Sequence, residues 1–108
     1  MSNFHWKSQG YCRGEVTIDS SMARSLTDVP LSFSYTDVGR SDICRISILN
    51  TATLMIDDTE GHAVSSTSGD PLIGPNTFEV VGNENIKRLK MIAADQPVSV
   101  SIQLRRFV

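Results

Sequence analysis

The sequence predicts an all-β protein, an antiparallel β-sandwich of jelly-roll type with an extended N-terminal arm. Three observations lead to this class. Apolar and polar residues alternate along several short segments, as they do in strands that place one face on a core. Turn-forming residues separate these segments at intervals of roughly 8–12 residues. No segment carries the periodic apolar face of a long amphipathic helix.

The clearest strand signal is the segment from Val98 to Phe107. Its alternate apolar positions are Val98, Val100, Ile102 and Leu104, and the residues between them are Ser99, Ser101 and Gln103. Successive side chains of a strand point to opposite faces, so the two sets separate cleanly. A helix would mix them. The segment is therefore predicted to be the final strand.

The same alternation recurs upstream. It predicts strands over residues 15–19, 31–35, 43–49, 52–56 and 77–81. Turns are predicted over residues 37–42, 71–76, 82–85 and 95–97. Proline is unfavourable inside a sheet, which is why the segment with Pro71 and Pro75 is assigned to a turn.

Three further segments lack a clear strand alternation. Residues 22–26 are expected to be irregular, and residues 57–70 to form a surface loop with room for a brief strand at Ala63–Val64. Residues 86–94 fit both helical and strand spacing. A helical turn over residues 85–88 that leads into a strand from Leu89 satisfies both patterns.

The chain of 108 residues is long enough for one domain, predicted over residues 13–108, with the arm over residues 1–12. A net charge of −2 argues against nucleic-acid binding. No apolar run approaches the ~20 residues of a membrane span. The N-terminus lacks the apolar stretch of a secretory signal, so synthesis in a cytoplasm is expected.

The predicted arm contains Phe4, Trp6 and Tyr11, although aromatic residues make up only 6% of the chain. One interpretation is that the arm folds back and caps its own core. The other is that its aromatic side chains dock on a neighbouring subunit, since such residues are favoured interface anchors.

Cys12 and Cys44 are predicted to be free thiols, because they lack CxxC spacing and no secretory signal accompanies them. A disulfide between them is the less favoured alternative. Cys44 shares an alternating register with Ile46 and Ile48, so it is expected to be a small buried hydrophobic residue.

No catalytic, cofactor-binding or metal-binding residues are predicted, and the chain is expected not to be an enzyme. The acidic turn Asp57-Asp58 does not fit the calcium-loop pattern, because Thr59 occupies the place of the second ligand. His5 and His62 have no partner at metal-ligand spacing. The serines that follow His62 lack a G-x-S-x-G elbow. A hydrolase would require the acidic turn and His62 to converge in space.

Positive charge concentrates at Lys87-Arg88-Lys90 and at Arg105-Arg106. Recognition of nucleic acid by strands would need exposed aromatic residues among these cations. The aromatics Phe33, Tyr35 and Phe78 instead occupy registers expected to face the core. Solvated edges of the sheets, or salt bridges to an acidic partner at the rim of an interface, explain the cations better.

From Tyr11 to Phe107, the order of features resembles small structural proteins of tailed bacteriophages. The segments that carry the resemblance are the strand Ile43 to Leu49, the strand and acidic turn 54–58, the loop and Pro-Leu up to Leu72, the aromatic strand 77–81, Asn85-Ile86, and the strands 89–93 and 98–107. The resemblance implies a jelly-roll-like sandwich in the virion, with no catalytic or ligand-binding residues.

This resemblance implies a capsid decoration or cement protein that binds the major capsid protein or other virion proteins. A homodimer or homotrimer is expected, because oligomerisation hides the edge strands. The expected interface residues are Phe4, Trp6, Tyr11, Asp57, Asp58, His62, Arg105, Arg106 and Phe107. The alternative is a receptor- or carbohydrate-binding module of a phage tail fibre or neck.

Overall fold

The computed structural model describes residues 7–108, which form eight strands and two short helices. The strands are β1 (Ser8–Ile18), β2 (Arg24–Ser25), β3 (Ile43–Ile48), β4 (Thr53–Asp57), β5 (Asp70–Ile73), β6 (Asn76–Val81), β7 (Lys90–Ala93) and β8 (Val98–Phe107). The helices are α1 (Tyr35–Gly39) and α2 (Asn83–Arg88). The chain is therefore mostly antiparallel β-structure, as predicted.

The strands form two four-stranded sheets. The first sheet has the order β1-β8-β3-β6 and the second has the order β2-β7-β4-β5. The pairing is nested along the chain: β1 pairs with β8, β2 with β7, β3 with β6 and β4 with β5. All of these pairs are antiparallel, so the two halves of the chain run back along each other.

One hydrophobic cluster draws side chains from both sheets. From β8 it takes the predicted apolar set, Val98, Val100, Ile102 and Leu104, each at most 1% exposed. From β3 it takes Cys44, Ile46 and Ile48, and from the second sheet Leu54, Met91 and Ala93. Fully burying an aliphatic side chain contributes about 1.5–3 kcal/mol. The core that these residues form holds the two sheets together.

The strongly patterned elements lie where the sequence places them. β8 has the predicted bounds, and β3, β4 and β6 begin and end within a residue or so of the predicted strands. The ambiguous segment resolves into α2 followed by β7, as the mixed spacing indicates. The helix begins at Asn83, so most of the predicted turn over residues 82–85 is helical instead. The two-residue strand β2 lies in a segment that was expected to be irregular.

The predicted arm needs a correction over residues 8–12, which belong to β1. Ser8 lies opposite Phe107 and Gly10 opposite Arg105, with a register shift between Gly10 and Cys12. Ser8, Gln9 and Gly10 carry no apolar side chain, so this part of the strand shows no alternation. Gly10 allows close packing here, because a Cβ at this position would lie 2.5 Å from Cδ of Gln103. Residues 1–6 of the predicted arm lie outside the described residues.

The predicted strand over residues 31–35 is wrong. Leu31 and Phe33 are buried, but Tyr35 is 83% exposed and begins α1. The Ser34 hydroxyl caps this helix by accepting a hydrogen bond from the Asp37 amide at 3.0 Å. This local bond favours helical over extended backbone after Ser34. Part of the predicted turn over residues 37–42 therefore belongs to α1.

The predicted turn over residues 71–76 is also wrong in part, because Pro71 and Leu72 lie in β5. This strand is at the edge of the second sheet, where proline is tolerated. The brief strand considered for Ala63–Val64 is not among the named strands. An isolated bridge joins Ser65 to Ser68 instead.

One end of the molecule, called the helix end below, collects α1, α2, the loop of residues 58–69 and the chain segments around the start of β1. β3 begins beside the ends of β6 and β8, and α2 carries the chain from β6 to β7. Lys90, the first residue of β7, lies opposite Asp57, the last residue of β4. The nested pairing thus brings separate parts of the sequence to a common surface.

We expect Ile102→Ala to lower the free energy of unfolding by about 2–5 kcal/mol. The substitution removes a fully buried side chain from β8, the strand that pairs with both β1 and β3. Urea unfolding followed by circular dichroism measures the change. The exposed Thr17→Ala is the matched control in β1. A loss below about 1 kcal/mol for Ile102→Ala would contradict the assigned core.

Candidate functional site

The structure places the predicted interface residues in two groups at the helix end. The terminal group contains Tyr11 from β1 with Arg105, Arg106 and Phe107 from β8. The loop group contains Asp57, Asp58 and His62, on the connection between β4 and β5. Phe4 and Trp6 lie outside the described residues.

Tyr11 connects β1 to α1. Its hydroxyl donates a hydrogen bond to the backbone carbonyl of Asp37 at 2.5 Å. The guanidinium of Arg40 lies 5.4 Å from the centre of the Tyr11 ring, within the range of a cation–π contact. Burial raises the pKa of Tyr11, and the Asp37 carboxylate raises it further. Tyr11 is therefore a fixed anchor for α1, with only part of its ring accessible.

Arg105 and Arg106 differ in their surroundings. The Arg105 guanidinium donates to Oγ and to the backbone carbonyl of Ser8, both at 2.8 Å, and to Oε1 of Gln103 at 2.6 Å. It fastens the start of β1 to the end of β8. Arg106 is exposed and lines a shallow cleft of about 300 Å³ with Gln9, Tyr11, Phe107 and Val108.

Phe107 is held at the backbone and offers part of its ring to solvent. Its amide donates to Oδ2 of Asp42 at 2.8 Å, and the residue is 39% exposed. Together with Arg106 it gives the terminal group an apolar surface beside a positive charge. Aromatic residues and arginine are enriched at protein interfaces.

The loop group begins at the end of β4, where Asp57 turns the chain. Its Oδ1 accepts a hydrogen bond from the Thr59 amide at 2.7 Å. The pKa of Asp57 is lowered, first by this backbone donor, then by the Thr59 hydroxyl and then by the adjacent His62. The side chain of Asp57 is only 14% exposed. The carboxylate is thus stabilised in its charged form.

His62 lies between an acid and a hydroxyl. Its Nδ1 contacts Oδ2 of Asp57. Its Nε2 lies 3.3 Å from Oγ of Ser68, at the far end of the same loop. Within the described residues it is Asp57, and not Asp58, whose carboxylate meets this imidazole. The acidic turn and His62 therefore converge, which is the condition that the sequence sets for a hydrolase.

The loop is fixed by packing at its centre. Val64 is 6% exposed and packs with Met55 and Ile92 in a second, smaller apolar cluster. Ser65 and Ser68 exchange backbone hydrogen bonds of 2.9 and 3.2 Å. These contacts give the loop a defined course between its two strands.

Gly69 follows Ser68 in a conformation that side chains rarely adopt, with φ of +140°. A Cβ here would lie 2.8 Å from Cγ2 of Val64 and 2.9 Å from the carbonyl oxygen of Ile56. The close approach requires glycine and fixes the position of the Ser68 backbone.

A cleft of about 370 Å³ adjoins the imidazole of His62. Its walls are loop residues 59–63, with Arg88 from α2 and Lys90 from β7. Lys87, the remaining cation of the predicted basic cluster, instead contacts Glu84 of α2 at 3.4 Å. The cleft therefore has two cations on one wall, and His62 with the carboxylate of Glu60 on the other.

Sequence reasoning missed two features of this site. It noted the serines after His62 but could not assign Ser68, because no elbow motif marks it. It also treated Arg88 and Lys90 only as rim cations. The available signal was the short separation of Asp57, His62 and Ser68, which lie within one loop and its flanking residue.

Residues 7–108 contain neither a metal-binding cluster nor a membrane-spanning helix. No group of three or more His, Cys, Asp or Glu side chains in this part of the chain could hold a metal ion. No helix within the same residues has the length and apolar character needed to cross a bilayer.

Comparison with protein-family models, with curated proteins and with solved structures found no match to this chain.

Both cysteines are free, and their surroundings differ. Burial raises the pKa of Cys44 to about 12, and burial together with Asp37 raises that of half-buried Cys12. We expect a disulfide reagent at pH 8 to leave Cys44 unmodified in the folded protein, to react slowly with Cys12, and to react with both thiols in urea. The absorbance of the released thiolate measures this. Rapid reaction of two thiols in the folded protein would contradict the burial of Cys44.

Asp57 predicts a pH dependence of stability. Because its folded pKa is lowered, its contribution is present above the unfolded pKa of about 3.9 and is lost as pH falls through the folded pKa. Asp57→Asn should therefore melt at a lower temperature than the parent at pH 7, and the gap should close as the pH approaches 2. Thermal melts across this range measure it. Asp58→Asn is the matched control, and an equal effect of both substitutions would refute the assigned role.

Proposed function

We propose that this chain is a jelly-roll structural protein of a tailed-bacteriophage virion. In this proposal it is a capsid decoration or cement protein that stabilises contacts between major capsid protein subunits. It assembles in the host cytoplasm and resides in the virion.

The nested strand pairing is the observation that carries the proposal. An eight-stranded jelly roll consists of two four-stranded sheets built from two Greek keys, and it occurs in viral capsid and lectin domains. Pairing of β1 with β8, β2 with β7, β3 with β6 and β4 with β5 is the order expected of that fold. The shared core between the sheets supports a sandwich.

The helix end supports an interface at one surface. The terminal group and the loop group both lie there, connected through α1 and α2. Tyr11 contacts α1 through Asp37, and Asn83 of α2 donates to the carbonyls of Val38 and Ser41 at 3.0 and 2.9 Å. The cleft beside His62 continues this surface from α2 to the loop. A capsid subunit could contact both groups at once.

The N-terminal arm completes the proposed interface. The chain enters β1 at Ser8, which lies opposite Phe107 of the terminal group. We assign Phe4 and Trp6 to contacts with a neighbouring subunit. A buried aromatic anchor contributes about 2 kcal/mol or more at a protein interface. Many copies on a lattice then strengthen a modest individual affinity.

A homodimer or homotrimer belongs to the same proposal. The exposed edge strands of the first sheet are β1 and β6, and edge strands tend to pair with other chains unless they are protected. A closed symmetric assembly protects them. The major capsid protein or another virion protein is the proposed partner, and neither nucleic acid nor a membrane is required.

A receptor- or carbohydrate-binding module of a tail fibre or neck is the second candidate. The specific observation in its favour is the cleft with Arg88 and Lys90, which could receive an acidic sugar. Residues 57–70 contain no aromatic side chain on which a sugar ring could stack. For this reason the assembly role is preferred.

The test is binding to tailed particles purified from the strain that encodes the chain. We expect the chain in purified heads, and we expect Trp6→Ala to reduce its co-sedimentation with heads at least about tenfold, because loss of an anchor costs about 1.4 kcal/mol or more. Quantitative gel analysis of the pellet measures occupancy.

The control is Lys7→Ala, which changes a neighbouring residue without removing an aromatic group. Circular dichroism should show that both variants remain folded. Absence of the chain from mature particles would refute the virion role. Unchanged occupancy of Trp6→Ala would remove the arm from the interface, and co-sedimentation with tails alone would favour the second candidate.

A further inference from the structure

Asp57, His62 and Ser68 form a continuous chain of polar contacts in the loop between β4 and β5. The carboxylate of Asp57 meets Nδ1 of His62, and Nε2 of His62 lies 3.3 Å from Oγ of Ser68. We propose that this triad activates the Ser68 hydroxyl as a nucleophile toward acyl esters that carry a negative charge.

The arrangement of atoms matches the roles that such chemistry requires. A serine hydroxyl is a weak nucleophile until an adjacent base accepts its proton. Nε2 of His62 is placed for that purpose. Asp57 holds Nδ1 on the opposite side of the ring, which fixes the ring orientation and stabilises the imidazolium that forms. Ser68 Oγ and His62 Nε2 are 3.3 Å apart without substrate. Catalytic hydrogen bonds of this length often shorten when a substrate binds.

The three groups are held by contacts within the loop and with the strands that flank it. The Thr59 amide orients the Asp57 carboxylate, the Val64 side chain anchors the loop, and Gly69 fixes the backbone after Ser68. The imidazole is 41% exposed, so an ester can reach it from solvent. Asp57 is a positioning residue, whereas His62 and Ser68 take part in bond making.

The reaction is acyl transfer to water in two steps. In the first, Oγ of Ser68 bonds to the acyl carbon, its proton passes to Nε2 of His62, and the leaving alcohol departs with that proton. In the second, water bonds to the acyl carbon, its proton passes to the same nitrogen, and Ser68 regains a proton as the acid leaves. One ester and one water yield one acid and one alcohol.

The substrate class follows from the cleft beside the imidazole. Arg88 and Lys90 line it together with one carboxylate, that of Glu60, so the two cations outnumber the anion. Neither cation takes part in an ion pair within the described residues. Their positive charge attracts an anionic group on the acyl chain and places the ester beside His62. This activity does not depend on the assembly role, and either can fail without the other.

The first experiment is covalent labelling of the full chain with a fluorophosphonate, followed by mass spectrometry of the modified peptide. We expect one adduct on Ser68 and none in Ser68→Ala. His62→Gln should slow labelling at least about a hundredfold, because it removes the general base.

Ser66→Ala is the matched control, since Ser66 lies in the same turn but outside the triad, and it should be labelled at the rate of the parent chain. Arg88→Gln should lose the preference that the parent chain shows for a 4-nitrophenyl ester with a terminal carboxylate over 4-nitrophenyl acetate. Release of 4-nitrophenolate measures that preference.

Thermal melts establish that each variant is folded. Absence of an adduct in the parent chain, an adduct on another residue, or a rate unaffected by His62→Gln would overturn the triad. Equal rates for the two esters in the parent chain would overturn the proposed substrate charge. None of these results bears on particle binding, so failure of this proposal is distinguishable from failure of the assembly role.

Discussion

β8 lies between β1 and β3, and its backbone hydrogen-bonds to both neighbours while its apolar face fills the core. The first and last strands are thereby joined along almost their full length. This pairing of β1 with β8, called the closure below, is the outermost of four nested pairs along the chain; the others are β2 with β7, β3 with β6 and β4 with β5. Loss of the closure would also separate Tyr11 from Arg106, and the terminal group would no longer form.

The closure has a second consequence at the helix end. It delivers the start of β1, the end of β8, both helices and the long β4–β5 loop to one surface. The contacts of Tyr11 with Asp37 and of Asn83 with Ser41 then connect these parts into a continuous layer. A surface assembled from distant segments suits a protein that binds a neighbour, because one rigid scaffold positions several loops at once.

The β4–β5 loop is unusual within this layer, because its order comes from its own small cluster and not from a strand ladder. Val64 anchors it, Gly69 permits its close approach to β4, and Asp57 orients His62. A loop that served only as a connection could be shorter. The loop thus holds His62 between Asp57 and Ser68, and the cleft beside the imidazole is lined by Arg88 and Lys90.

The strands that were predicted correctly and those that were not differ in the physical information that their prediction needs. Strands with regular alternation were predictable, since Val98 to Phe107 and Ile43 to Leu49 bury one face whatever their partners are. The strand at residues 31–35 failed because the Ser34 cap competes locally with extended structure. β5 escaped prediction because Pro71 is acceptable only at a sheet edge, and the chain does not reveal which strands are edges.

The sequence by itself determined the strand class, the apolar face of β8 and the burial of Cys44, because side-chain alternation is a local property. Tertiary structure alone decided that residues 8–12 pair with β8, that Tyr35 faces solvent and that Arg105 binds Ser8. It also decided that His62 lies between Asp57 and Ser68. The first three outcomes depend on which distant segments the fold brings together. The position of His62 depends on how the β4–β5 loop folds around Val64 and Gly69.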